Sequence, residues 1–214
     1  TDVSNSLRLR LAEVAVMGGP TGAAVRESRA GTVKFLMALV AGERVECVLI
    51  PEKDHYTACL STQVGCAMGC GFCATGMLGF RRNMTSGEML GQVLVGRQYL
   101  VDKGVELGLR NLVFMGMGEP LLNYENLVKT LEALHHPQGL DMSGRRITVS
   151  TAGVARHLLD LGRTGLCSLA ISLHAPTQAQ RERIMPGAAR LELDKLMDLL
   201  AQYPLKPRER LTFE

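Results

Sequence analysis

The sequence predicts an α/β fold, a partial (β/α) barrel with an N-terminal β-hairpin extension, on three observations. From residue 57 onward, short apolar runs of strand length alternate with longer segments whose apolar residues recur at helical spacing. Such alternation implies parallel strands joined by right-handed crossovers. The chemically distinctive residues also follow the strands, where parallel sheets place their sites. The regular strand-end loops favour a barrel; a doubly wound open sheet is the alternative.

Residues 1–28 are weakly patterned and rich in glycine and alanine around Gly18–Gly22. Two alternating runs, Thr32–Val40 and Arg44–Ile50, flank Ala41-Gly42 and read as a hairpin. Residues 1–56 therefore form an extension and 57–214 the core. The core opens with a strand at Thr57–Val64 and then a cysteine-rich loop. Thr85-Ser86-Gly87-Glu88 is a capping box that starts a helix with Met89, Leu90, Val93, Leu94, Leu100 and Val101 on its apolar face. Leu112–Met115 is the second strand, and Asn123 caps a helix carrying Leu127, Val128, Leu131 and Leu134. Strands at Arg146–Ser150 and Ser168–Leu173 bracket a helix near Val154–Leu161. Helices near Gln178–Ile184 and Leu193–Gln202 follow, and Arg210–Glu214 opens a fifth strand, so the barrel is expected to be truncated at its C-terminal end.

With 214 residues, 46% apolar and 21% charged, the chain can bury one sizeable core. No apolar run approaches the roughly 18–20 residues of a membrane span. Thr1-Asp2-Val3-Ser4-Asn5 has none of the features of an export signal, so a cytoplasmic protein is expected. The first residue is Thr1, which suits part of a longer protein. A net charge of +3 is too small to argue for nucleic acid. Arg81-Arg82, Arg145-Arg146, Arg181 and Arg183 suit a solvated face as well as an RNA contact.

Three of six cysteines crowd into Cys66-Ala67-Met68-Gly69-Cys70-Gly71-Phe72-Cys73. Without an export signal, metal or redox chemistry is favoured over disulfides. Three thiolates in one tight loop can ligate three irons of a cubane cluster, leaving the fourth open to a small molecule. Gly65, Gly69 and Gly71 let the backbone bend around an inorganic core, and Phe72 can shield it from water. A zinc site completed by Cys59 or His55, in a non-catalytic RNA-binding module, is the alternative.

The C-x3-C-x2-C spacing after a first strand, with an aromatic before the last cysteine, resembles the radical S-adenosylmethionine superfamily. The match narrows with Cys59–Cys66, Gly79-Phe80-Arg81-Arg82-Asn83, Gly116–Asn123, Arg145–Gly153 and Leu169–Pro176. In this order, from about residue 30 to the end, they resemble the RlmN/Cfr family of RNA adenosine methyltransferases, closest to its C2-methylating branch. Cfr-like transfer to C8 is the alternative within the family.

The resemblance implies a barrel of the radical SAM type, a [4Fe–4S] cluster on Cys66, Cys70 and Cys73, and S-adenosylmethionine on its open iron. It implies cofactor contacts from Gly118, Glu119 (to the ammonium), Ser150, Ser172, Leu173 and His174. Glu46 matches the family's proton-accepting position, and Cys59 its second catalytic cysteine. The family methylates a carrier cysteine, uses a cofactor-derived radical to activate that methyl group for addition to adenine, and releases product as the two cysteines form a disulfide. The carrier lies near the family's C-terminus and nothing here matches it, so this chain alone is expected to be inactive in methyl transfer. The family's N-terminal RNA-binding domain is likewise absent or reduced to residues 1–28. Implied partners are 23S rRNA, tRNA and an electron donor such as flavodoxin, with no membrane and a monomeric enzyme. Cys47 and Cys167 match no family role and are expected to pack; Met115 and Met117 suit either the cofactor pocket or the core.

Overall fold

The computed structural model describes residues 4–14, 19–20 and 22–214; positions 1–3, 15–18 and 21, including part of the glycine-rich stretch, lie outside the described residues. Two elements occupy the region that looked weakly patterned: helix α1 (Asn5–Val14) and strand β1 (Gly22–Glu27). α1 buries none of its residues, so no core selects a periodic apolar face. β1 pairs antiparallel with β2 (Val33–Ala38), which forms the expected hairpin with β3 (Arg44–Pro51). Burial alternates along both hairpin strands, with Val33, Phe35 and Met37 facing the core beside Val45, Cys47 and Leu49.

The expected Thr57–Val64 strand divides. β4 (Tyr56–Cys59) pairs with β3, whereas β5 (Gln63–Gly65) leaves the main sheet. After the cysteine loop and a single turn, α2 (Ala74–Met77), the chain returns as β6 (Phe80–Asn83) to make a two-stranded sheet with β5. Periodicity cannot reveal this break because every residue from 60 to 65 is buried. Next come α3 (Ser86–Asp102), β7 (Leu109–Phe114), α4 (Tyr124–His135), β8 (Ile147–Thr151) and α5 (Leu158–Thr164). The chain finishes with β9 (Ser168–Ile171), α6 (Gln178–Ile184), α7 (Leu193–Ala201) and β10 (Thr212–Phe213).

The main sheet has the order β1-β2-β3-β4-β7-β8-β9-β10, parallel from β4 onward. The five parallel strands lie in chain order, without the reversal that defines a doubly wound sheet, which supports the partial barrel. The boundary near residue 57 falls within β4, so extension and core share one sheet.

The α3 capping box forms: the Glu88 amide donates to Thr85 Oγ1 at 3.2 Å, and the Thr85 amide to Glu88 Oε2 at 2.9 Å. Leu94 and Val101, expected on its apolar face, are exposed; the buried stripe narrows to residues such as Met89, Gln92, Val93 and Gly96. Asn123 precedes α4 without capping it through its side chain. Its amide nitrogen instead donates to the carbonyls of Thr62 and Met84, both at 2.8 Å. Gln92 completes the support of the buried segment, accepting from the Ser61 amide at 2.9 Å and donating to the Ser61 carbonyl at 2.8 Å.

Gln92→Ala should orphan two buried backbone groups, each costing about 1–3 kcal/mol. Gln98→Ala, which removes only an exposed bond to Asp102, should stay within about 0.5 kcal/mol of wild type. Denaturant unfolding checks the pair, and equal small losses would show that Gln92 does not hold the segment.

Candidate active site

Strand register decides which side chains share a face. Cys59 pairs with Val48 on one side and Val113 on the other, and Val113 pairs with Thr148. Ala170 lies between Ser150 and Thr212. Period-two alternation then puts Glu46, Cys59, Ser150, Ser172 and Glu214 on one face and Cys47 on the other.

Where the parallel strands end, this face opens into a cavity of about 230 Å³. Cys66, Cys70 and Cys73 line it from the loop, and Gly118, Glu119, Ser150, Ser172 and His174 from the strand ends. The loop is held at three points: Cys66 N donates to Gly79 O (3.0 Å), Gly71 N to Ile184 O (2.9 Å), and Gly187 N to Met68 O (3.0 Å). Gly65 enters the loop with φ +77°, and a Cβ there would lie 1.7 Å from Gly79 O, so only glycine fits.

All six cysteines are free thiols. Burial pushes Cys66 up, and pushes Cys70 up to about 11 with repulsion from Cys66 and Cys73 added. Thiols held in this way bind cations with release of protons. Among the described residues, no group of three or more His, Cys, Asp or Glu side chains is placed to hold a single ion. His55 is occupied by Asp54 and Asn111, and Cys59 does not line the cavity, so neither completes a zinc site. Three soft donors spread around one cavity suit an iron–sulfur core.

Glu119 is 3% exposed and accepts from Thr151 Oγ1 (2.7 Å), Ala152 N (2.8 Å) and Leu121 N (3.1 Å). A carboxylate has about four acceptor positions, which leaves capacity for one cationic donor from the cavity. Gly118, at φ +100°, brings the loop so close that a Cβ would meet Gln63 Cβ at 2.5 Å. Across the floor, Ser150 Oγ and Ser172 Oγ are 2.9 Å apart, and both lie 3.4 Å from Glu214 Oε2. Glu214 was missed in the sequence although it directly follows β10, as Ser172 directly follows β9. His174 adopts a left-handed φ of +54° and meets Phe72 edge-on, centroids 4.9 Å apart, across the cavity wall.

Three expected site residues stand outside the lining. Leu173 packs against the main core, and its amide is spent on Ile171 O and Glu214 O. Cys59 neighbours Met115, which does line the cavity; burial raises its thiol against a bond from the Met115 amide. Glu46 is ion-paired with Lys34 at 2.6 Å. Cys47 and Cys167 are buried, each pushed up to about 12 by burial, as packing residues should be. Met117 fills core and accepts from the Glu46 amide. Among the described residues, no helix is long and apolar enough to cross a membrane.

Residues 60–212 match the model of the Radical SAM superfamily. The whole chain is 91% identical to the dual-specificity RNA methyltransferase RlmN of Solidesulfovibrio magneticus, 61% of which it covers. It is 56% identical to the RlmN of Nitratidesulfovibrio vulgaris, covering 60% of that protein. The crystal structure of a radical SAM methyltransferase from Sphaerobacter thermophilus superposes with a TM-score of 0.90 at 38% identity, over 99% of this chain and 62% of that one. The chain thus spans about 61% of the first of these relatives' length.

Burial pushes the Glu119 carboxyl above its ordinary 4.5, against the three hydrogen bonds it accepts. The folded protein then holds a proton that the unfolded chain has released. That contribution is complete below 4.5 and lost as pH rises through the folded value. Wild-type stability relative to Glu119→Gln should therefore fall as pH rises above 4.5 in cofactor-free protein. A difference that grows with pH would give the ionised form the advantage.

Proposed function

The chain belongs to the radical SAM superfamily, and from that premise we propose that it is the cluster- and S-adenosylmethionine-binding core of an RNA methyltransferase acting at C2 of adenosine. One observation carries this reading: the three thiols of one loop share a cavity with Glu119, Ser150, Ser172 and His174 from the strand ends. Cys66, Cys70 and Cys73 would hold a [4Fe–4S] cluster. The chemistry supplied there, when cluster and cofactor are bound, is one-electron cleavage of a sulfonium carbon–sulfur bond.

The chain's own residues bind, orient and exclude water. Glu119 takes the cofactor's ammonium at its spare acceptor position. Gly118 lets the backbone approach closely, and the Ser150–Ser172–Glu214 group offers hydroxyls and a carboxylate to a ribose. Phe72 and His174 wall the cavity from solvent. Leu173 contributes through the backbone that it fixes at the end of β9.

Cys59 and Glu46, on the cavity's face of the sheet, serve the RNA end of the reaction. Cys59, neutral at rest through burial, is the resolving cysteine: it loses its proton as its sulfur bonds the carrier's sulfur, the carrier's carbon–sulfur bond breaks, and that electron pair with one proton completes the new methyl group. Glu46 accepts the adenine ring proton once its bond to Lys34 is exchanged. The carrier lies outside these residues, because Cys47 and Cys167 are buried away from the cavity. The relatives named dual-specificity RNA methyltransferases support methyl transfer to RNA, and the family resemblance favours C2 over C8 with 23S rRNA and tRNA as substrates. A flavodoxin-type donor, a monomeric enzyme and a cytoplasmic setting complete the reading.

Full-length enzyme containing this chain, given RNA, reductant and S-adenosylmethionine, should yield 2-methyladenosine by nucleoside mass spectrometry. Its Cys59→Ala variant should stall as a covalent protein–RNA adduct on denaturing gels. Formation of 8-methyladenosine would overturn C2 transfer, and normal turnover without adduct would remove Cys59 from the mechanism.

A further inference from the structure

Arg181, on α6, is 0% exposed and has no carboxylate among its partners. Nη1 donates to Leu173 O and Nη2 to Ala152 O, both at 3.0 Å, and Nε has no hydrogen-bond partner. A guanidinium cannot shed its proton in a protein, so this is a permanent buried cation. Burying one without a counter-charge is costly.

The surroundings place this cation behind the cysteine loop. α6 and the turn after it carry two of the three bonds that hold the cysteine loop, Gly71 N to Ile184 O and Gly187 N to Met68 O. Cys70 packs in one cluster with Met68, Ala152, Met185 and Ala188. Ala152, whose carbonyl accepts from Arg181 Nη2, belongs to that same cluster, which places the guanidinium directly behind the loop. Arg181 does not line the cavity, so it cannot contact a cofactor there directly.

We propose that Arg181 is a positioning residue whose fixed charge offsets the thiolates of the cysteine loop and favours one-electron reduction of the cluster they hold, while its fork ties together the ends of β8 and β9. This rests on the assignment of Cys66, Cys70 and Cys73 as cluster ligands. The electron comes from an external low-potential donor, no bond forms or breaks, and the added negative charge is the quantity that a nearby cation stabilises.

The test compares full-length, anaerobically reconstituted wild type with Arg181→Gln, which keeps donors but no charge, and Arg181→Lys, which keeps the charge but not the fork. Iron is counted, and the reduction potential is titrated by electron paramagnetic resonance. Arg181→Gln should make reduction about tenfold less favourable, a potential lower by about 59 mV for one electron. Arg181→Lys should keep the wild-type potential while losing thermal stability. A Gln variant within about twofold of wild type, or a Lys variant whose potential falls along with its stability, would leave Arg181 as a strut only. Should the Gln variant not fold, Arg181→Met, which removes the charge but fills the space, takes its place with the same expected fall in potential. Wild-type protein that assembles no four-iron cluster would instead remove the ligand assignment, and this proposal with it.

Discussion

The buried segment from Leu60 to Val64 is the constraint on which the rest of the site depends. Its backbone leaves the main sheet, yet buried amides and carbonyls must still be paired. Leu60 N bonds Val113 O, Thr62 and Gln63 share Met117 O, and Gln92 and Asn123 serve the carbonyls of Ser61 and Thr62. Ser61 Oγ receives Met117 N at 2.9 Å and donates to Glu46 O at 2.6 Å. Gln63 Oε1 receives the Glu119 amide at 2.9 Å. One segment therefore fixes where the cysteine loop starts, where Gly118 and Glu119 stand, and how β3 sits beside them.

The charges buried around the cavity make sense as halves of pairs. The thiols of Cys66 and Cys70 and the Glu119 carboxyl are all pushed up by burial, and the Arg181 guanidinium is pushed down. The thiols stay neutral until a cation draws off their protons, whereas an ionised Glu119 and the Arg181 guanidinium carry the cost of burial, and such groups gathered at and behind one cleft mark a functional site. A cationic iron–sulfur core would draw the thiolates, and an ammonium would draw the carboxylate. Groups away from the cavity are settled locally: Arg82 is clamped between Glu43 and Glu88, joining the hairpin turn to the start of α3.

What was legible in the sequence follows from where its signals arise. The hairpin, the capping box and the helix Gln178–Ile184 are written in local patterns, and each appears as expected. The cysteine spacing together with the family resemblance named eight of the cavity's lining residues. α1 left no trace because it buries nothing, and the break after Cys59 left none because both sides of it are buried. Gln92 and Asn123 read as ordinary helix and cap residues, since their partners lie more than thirty positions away in the chain. Glu214 was overlooked because the expected fifth strand, Arg210–Glu214, ran through it, whereas the strand stops at Phe213 and leaves Glu214 at its end.

The central claim is that the loop thiols and the strand-end groups form one site, with a cluster iron left open for the cofactor that Glu119 helps to hold. Mössbauer spectroscopy of protein reconstituted with iron-57, before and after S-adenosylmethionine, tests it most directly. The account predicts one iron of the four changing its isomer shift on cofactor addition while three stay as they were. Four irons indifferent to the cofactor, or an iron content that survives loss of Cys70 unchanged, would contradict it.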